Sequence, residues 1–158
     1  MGIKRYRAEI DNTITNAFRQ NLTDRGTKGN MGQADILEIY SIYAQQSSGS
    51  VEKSRILLKF PVDKIVTARS KGDIPEKGKV NFELKLFNAE HSQTVPLQYN
   101  LLVAPLAQSW SEGYGIDMEE FLNEGASNWL SASDTKIPQI VYARTIATQK
   151  SNLKDCYL

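Results

Sequence analysis

The sequence predicts an all-β domain, a sandwich or a barrel, and three observations carry that expectation. Apolar residues recur with a period of two in several short runs, the runs are separated by glycine, proline and serine, and no long amphipathic helix lies between them. A period of two places alternate side chains on opposite faces of a strand, so one face of each run is suited to a core. A βαβ arrangement would need a crossover helix between strands, and none is written here.

The first run is Tyr6 to Ile14, where Tyr6, Ala8, Ile10, Asn12 and Ile14 alternate with Arg7, Glu9, Asp11 and Thr13. Ile36 to Tyr43 (ILEIYSIY) is rich in β-branched and aromatic residues and reads as a largely buried strand. Arg55 to Phe60 (RILLKF) is a third, stopped by Pro61, which has no N–H to continue a ladder. In the fourth, Val80, Phe82, Leu84 and Leu86 are expected to face inward while Asn81, Glu83 and Lys85 face water. The fifth, Leu97, Tyr99, Leu101 and Val103, ends before Pro105. Between them, Arg25 to Gly32 holds three glycines suited to turns, Gln45 to Ser50 reads as a hairpin loop longer than two residues, and Ser70 to Gly78 as another loop. One short helix is expected at Asp117 to Asn123, where a capping Asp117 is followed three residues later by Glu120 and the run stops before Gly125. Ile137 to Thr148 offers one further strand, and Lys150 to Leu158 a polar tail. The resulting division is a domain over 1–136 and a C-terminal strand and tail over 137–158, the latter an assembly segment.

Composition narrows the function classes. The 158 residues suffice for one domain with a core of its own, and 41% hydrophobic with 23% charged residues is ordinary globular usage. With 19 basic and 18 acidic residues the net charge is +1, without the surplus of Lys and Arg that a dedicated nucleic-acid binder uses against phosphates. Little self-repulsion opposes association with other copies or partners. No apolar run approaches the ~18 residues of a membrane span, and the basic N-terminus lacks the apolar stretch of a secretory signal. Cys156 is the single cysteine, which excludes an internal disulfide and thiolate-rich metal sites.

No catalytic constellation is legible, and a non-enzymatic role is expected. His91 is the only histidine and sits in a polar stretch, Asn88 to Thr94, with no G-x-S-x-G elbow elsewhere. The glycines of RGTKGNMG fit neither a Walker loop nor a dinucleotide fingerprint. Asp117, Glu119, Glu120 and Glu124 form the one dense acidic cluster. Such carboxylates suit Ca²⁺, which takes oxygen ligands, but they equally suit the first turn of a helix, where they complement its dipole. Trp110, Tyr114 and Trp129 flank that cluster. Exposed, they would stack on sugar rings or fill a partner's pocket; buried, they would plug the core. No cofactor is expected.

Several segments resemble one family of virion proteins of tailed bacteriophages, found in marine and environmental phages. They are Asp11 to Thr23 (DNTITNAFRQNLT), Asn30 to Tyr43 (NMGQADILEIYSIY), Ser54 to Pro61 (SRILLKFP), Asn88 to Pro96 (NAEHSQTVP) and Trp110 to Trp129 (WSEGYGIDMEEFLNEGASNW). In outline the chain is also similar to DNRLRE-type jelly-roll modules of cell-surface and carbohydrate-binding proteins. There an N-x-G turn precedes a strand, an R-x-L-L-x-F strand follows, and a Trp-containing segment comes later. Asn30-Met31-Gly32 with Asp35 to Ile39, Arg55 to Phe60, and Trp110 stand in that order. The resemblance spans about residues 5–134 and identifies no catalytic residue. It implies a jelly-roll-like β-sandwich and a structural part in a virion assembled in the host cytoplasm: a capsid-surface, neck or tail protein in a homo- or hetero-oligomeric assembly. A carbohydrate-binding module is the alternative it implies. Family members continue with further strands past the segment matching Trp129 to Asp134. Either a divergent last strand closes this sheet, or its edge is left to a partner.

Overall fold

The structure, a computed structural model, describes residues 2–90, 98–122 and 126–133. Among them are five strands and one helix in the order β1 (Ile10–Thr15), β2 (Gly29–Asn30), β3 (Ser41–Tyr43), β4 (Val51–Lys59), α1 (Val62–Ser70) and β5 (Asp117–Leu122). The chain is β-rich with one short helix, and no strand set closes into a barrel among these residues. The described residues up to Pro61 and from Leu106 onward form one compact unit, and Val62–Pro105 form a second. The boundary expected at 136/137 lies outside the described residues, as do Ile137 to Thr148, the tail and Cys156.

The first unit is built on a three-stranded antiparallel sheet in the order β1-β4-β3. Ile10 opposes Lys59 and Thr15 opposes Ser54, so six residues of β1 pair with the centre and end of β4. Ser41 opposes Lys53 and Tyr43 opposes Val51, which makes β3–β4 a hairpin with the loop Ala44 to Ser50, as the polar QQSSGS stretch suggests. Its tip is tied by Ala44 N–H to Ser50 O at 2.9 Å and Ser50 N–H to Ser47 O at 2.9 Å. A two-stranded ladder, β2-β5, lies beside it, with a register shift between Gly29 and Asn30.

Opposed residues in an antiparallel pair share a face. On one face Asn12 and Ile14 stand with Leu57 and Arg55; Ile14, Leu57 and Ala132 form the buried apolar centre, with Leu106, Trp110 and Trp129 packed against it. On the other face Thr13 and Thr15 stand with Ile56 and Ser54, and Glu52 continues the row opposite Ile42. That second face is polar, yet Thr13, Thr15, Ser54 and Glu52 are all buried.

Three expectations are corrected. Asp117–Leu122 is strand β5, not a helix: two turns are too short to stand alone, and its ends pair with β2 instead, Asp117 opposite Asn30 and Leu122 opposite Gly29. Asp117 caps in the local sense only, its Oδ1 accepting from Glu119 N–H at 2.8 Å. The helix lies at Val62–Ser70, directly after Pro61. Asp63 stands in its first turn, Arg69 in its last, and Gly72 follows at φ 81°. Asp73 N–H reaches Ala68 O at 2.9 Å and Gly72 N–H reaches Arg69 O at 3.0 Å, the paired bonds of a Schellman cap. Finally, only Ser41–Tyr43 of the ILEIYSIY run is a strand, and its side chains are exposed.

In the second unit the alternation read from the sequence holds in burial, but no strand forms over it. Val80, Phe82 and Leu84 are half-buried and Asn81, Glu83 and Lys85 exposed, yet no strand is formed, and Leu86 is exposed. Residues 98–103 likewise form no strand. Leu57→Ala should lower unfolding stability by about 2–5 kcal/mol, because it empties a site that is 2% exposed at the sheet's centre. Leu84→Ala, half-buried outside any ladder, should cost less; chemical denaturation of both variants checks the order.

Candidate functional site

Two asparagines organise the first unit. The Asn30 side chain, fully buried, makes four hydrogen bonds: Nδ2 donates to Glu112 O and Ser127 O, both at 2.7 Å, and Oδ1 accepts from Gly32 N–H at 3.0 Å and Gly115 N–H at 3.1 Å. The Gly32 bond makes Asn30-Met31-Gly32 an Asx turn, so the N-x-G motif has a direct mechanical meaning. Asn12, on β1, donates through Nδ2 to Ser127 O at 3.0 Å and Ser127 Oγ at 2.8 Å, while its Oδ1 accepts from Met31 N–H at 2.9 Å. Ser127 passes the chain on, its Oγ donating to Ser111 O at 2.6 Å. Residues 30–32, 111–115 and 126–128 are thus pinned to β1.

Two glycines make the approach feasible. Gly113 has φ 89°, and a Cβ there would meet Asn30 Oδ1 and Ala126 Cβ; one on Gly115 would run into Asn30 O. The Asn30 amide uses both of its N–H groups and accepts two hydrogen bonds, and the Ser127 hydroxyl donates to a backbone carbonyl. Together these bonds clamp the three stretches in place.

On the polar face of the sheet, Thr15 Oγ1 donates to Lys53 O at 3.0 Å and accepts from Ala17 N–H at 3.0 Å. The Tyr40 hydroxyl lies 2.5 Å from Thr15 Oγ1 and donates to Met118 Sδ at 3.0 Å. Burial pushes the Tyr40 phenol above its ordinary value; the Thr15 bond opposes the rise, and the negative charges of Glu38 and Glu52 add to it. Tyr40 N–H donates to Ser54 Oγ at 2.8 Å, and Glu38 N–H to Thr13 Oγ1 at 3.1 Å. Glu52 is 0% exposed, and among the described residues neither of its carboxyl oxygens has a hydrogen-bond partner.

The aromatic residues singled out in the sequence are divided. Trp110 and Trp129 pack against the apolar centre, and the Arg55 guanidinium lies 3.9 Å over the Trp129 ring. Tyr114 is 80% exposed between Gly113 and Gly115. Of the acidic cluster, Glu119 Oε1 accepts from Gln20 N–H at 2.8 Å and Asp117 turns back on Glu119 N–H. The Glu120 side chain and Glu124 lie outside the described residues, as does His91. Among the described residues no group of three His, Cys, Asp or Glu side chains is placed to hold a metal ion, and no helix is long and apolar enough to cross a membrane.

The feature that sequence reasoning missed is the edge of the sheet. β3 is a terminal strand, and around it Ile36, Ile39, Ile42, Tyr43 and Val51 are 50%, 48%, 38%, 70% and 36% exposed. The β-branched and aromatic signal that suggested a buried strand marks an exposed apolar margin instead. Comparison with family models, curated proteins and solved structures returns no match to the chain.

Asn30→Ala should cost at least about 3 kcal/mol, since it strands two carbonyls and two N–H groups in the interior; denaturant midpoints measure it. The fold disfavours the Tyr40 phenolate, so the native protein holds that proton to higher pH than the unfolded chain. Stability from this group is complete below pH 10.0, the ordinary phenol value, and is lost as pH rises from there through the folded-state value. Denaturation measured across that range should show a shallower alkaline decline for Tyr40→Phe than for the wild type.

Proposed function

We propose that the chain is a non-catalytic structural component of a tailed-phage virion, acting through protein–protein contacts within a homo- or hetero-oligomeric assembly. The observation that carries this reading is the apolar edge at β3. Edge strands are ordinarily blunted by charge, proline or a covering element, because their free N–H and C=O groups invite another strand. Here Ser41-Ile42-Tyr43 is uncharged, and isoleucines 36 and 39 extend its apolar margin. A margin of this kind suits strand addition by a neighbouring subunit, with backbone bonds giving affinity and alternate side chains giving specificity. The near-neutral charge of the chain leaves such packing unopposed.

The resemblance to virion proteins supports the same reading, with the β-rich unit taken as a jelly-roll-like sandwich whose N-x-G turn and R-x-L-L-x-F strand hold the Asn30 clamp and the Arg55–Trp129 stack. No ion or nucleic acid is assigned to it. A second reading, carbohydrate binding, has one observation in its favour: Tyr114 is held outward between two glycines, where a ring can stack on a sugar face.

Complementation of a phage lacking the protein separates the two. Ile42→Lys with Tyr43→Lys, both at exposed positions, should leave the fold intact and abolish incorporation into purified particles, while Tyr114→Ala incorporates normally. Normal incorporation of the lysine variant would remove the β3 edge as the interface. Glycan retention by the isolated protein, lost on Tyr114→Ala, would favour the second reading.

A further inference from the structure

We propose that residues 36–43 form a releasable strap over the polar face of the sheet, and that the unpartnered carboxyl of Glu52 beneath it keeps the strap poised to open. The inference rests on the geometry of the first unit and not on the virion reading. Glu52 stands on β4 opposite Ile42, is 0% exposed, and has no hydrogen-bond partner at either oxygen among the described residues. In either protonation state such a carboxyl lacks something: the charged form lacks donors, the neutral form an acceptor for its proton. Water supplies both as soon as the site opens.

What holds the strap down is mostly polar: three residue pairs of the β3–β4 ladder, and the Tyr40 hydroxyl against Thr15 Oγ1 at 2.5 Å and Met118 Sδ at 3.0 Å. Glu38 N–H and Tyr40 N–H are received by the side-chain hydroxyls of Thr13 and Ser54, and Ser54 N–H returns to Tyr40 O at 3.1 Å. Water replaces bonds of this kind at little loss. Apolar anchoring falls to the half-buried Leu37 and Tyr40, because Ile36, Ile39, Ile42 and Tyr43 are each more than a third exposed. Few buried apolar contacts over an uncompensated polar group describe a segment from the low-stability end of a fold. Its release lets Glu52 reach water and leaves the Val51–Lys53 edge of β4 unpaired, while the β1–β4 ladder and the Asn30 clamp stay in place on the other side.

Native-state hydrogen exchange of the full chain, read by NMR, tests this with Glu52→Met and Glu52→Leu, which fill the site without a polar group. In the wild type the Glu38, Tyr40 and β3 amides should exchange at least roughly tenfold faster than those of Ile10–Thr15, and with less response to urea. Both substitutions should slow the strap amides by roughly tenfold or more. The proposal is overturned if the strap and β1 exchange together in the wild type, or if the variants leave strap exchange unchanged or faster. It is equally overturned if neither variant folds, because the carboxyl would then be a support of the structure and not a burden on it.

Discussion

The amide of Asn30 makes four hydrogen bonds in a place where water cannot stand in for any of them. Two go to carbonyls of residues far away in sequence, Glu112 and Ser127, and two come from the N–H groups of Gly32 and Gly115. Without that side chain, the Glu112 and Ser127 carbonyls and the Gly32 and Gly115 N–H groups would lose these partners. Asn12 attaches the same stretches to β1 through Ser127 and Met31. The small apolar centre of Ile14, Leu57 and Ala132 is too modest to fix those segments alone, so polar satisfaction sets the geometry and the tryptophans seal it.

From that clamp follows the division of labour between the two faces of the sheet. One face is finished: tryptophans cover it and Arg55 caps Trp129 with its guanidinium plane. The other is buried but polar, closed by a hairpin edge that displays isoleucine and tyrosine to the outside and carries an unsatisfied carboxyl inside. A domain stable on one side and weakly closed on the other is suited to gain its final order from a neighbour.

Much of the fold was legible where local pattern and tertiary demand agree. The alternation of β1, the RILLKF strand and the polar hairpin loop before it all appear where the residues suggest. Pattern failed where a competing partner decided the outcome. DMEEFL has a cap and helix formers, but β2 offered it a ladder, and six residues carry too little helical cooperativity to resist. The helix at Val62–Ser70 has Asp63, Arg69 and Gly72 at the expected offsets, yet its apolar spacing is irregular and Val62 and Val66 remain exposed. Asn30 was visible as part of a turn motif but not as a linchpin, since three of its four partners lie on or beyond Gly115, or reach it from Glu112. The exposed edge was hidden by its own composition, because the residues that favour strands are the same whether the strand is central or terminal.

The most direct test of the account is electron cryomicroscopy of purified particles made with this chain. The account predicts stoichiometric density for the chain with the β3 edge, Ser41 to Tyr43, seated against a neighbouring subunit. Particles that assemble fully without the chain, or density in which that edge faces open solvent, would contradict it.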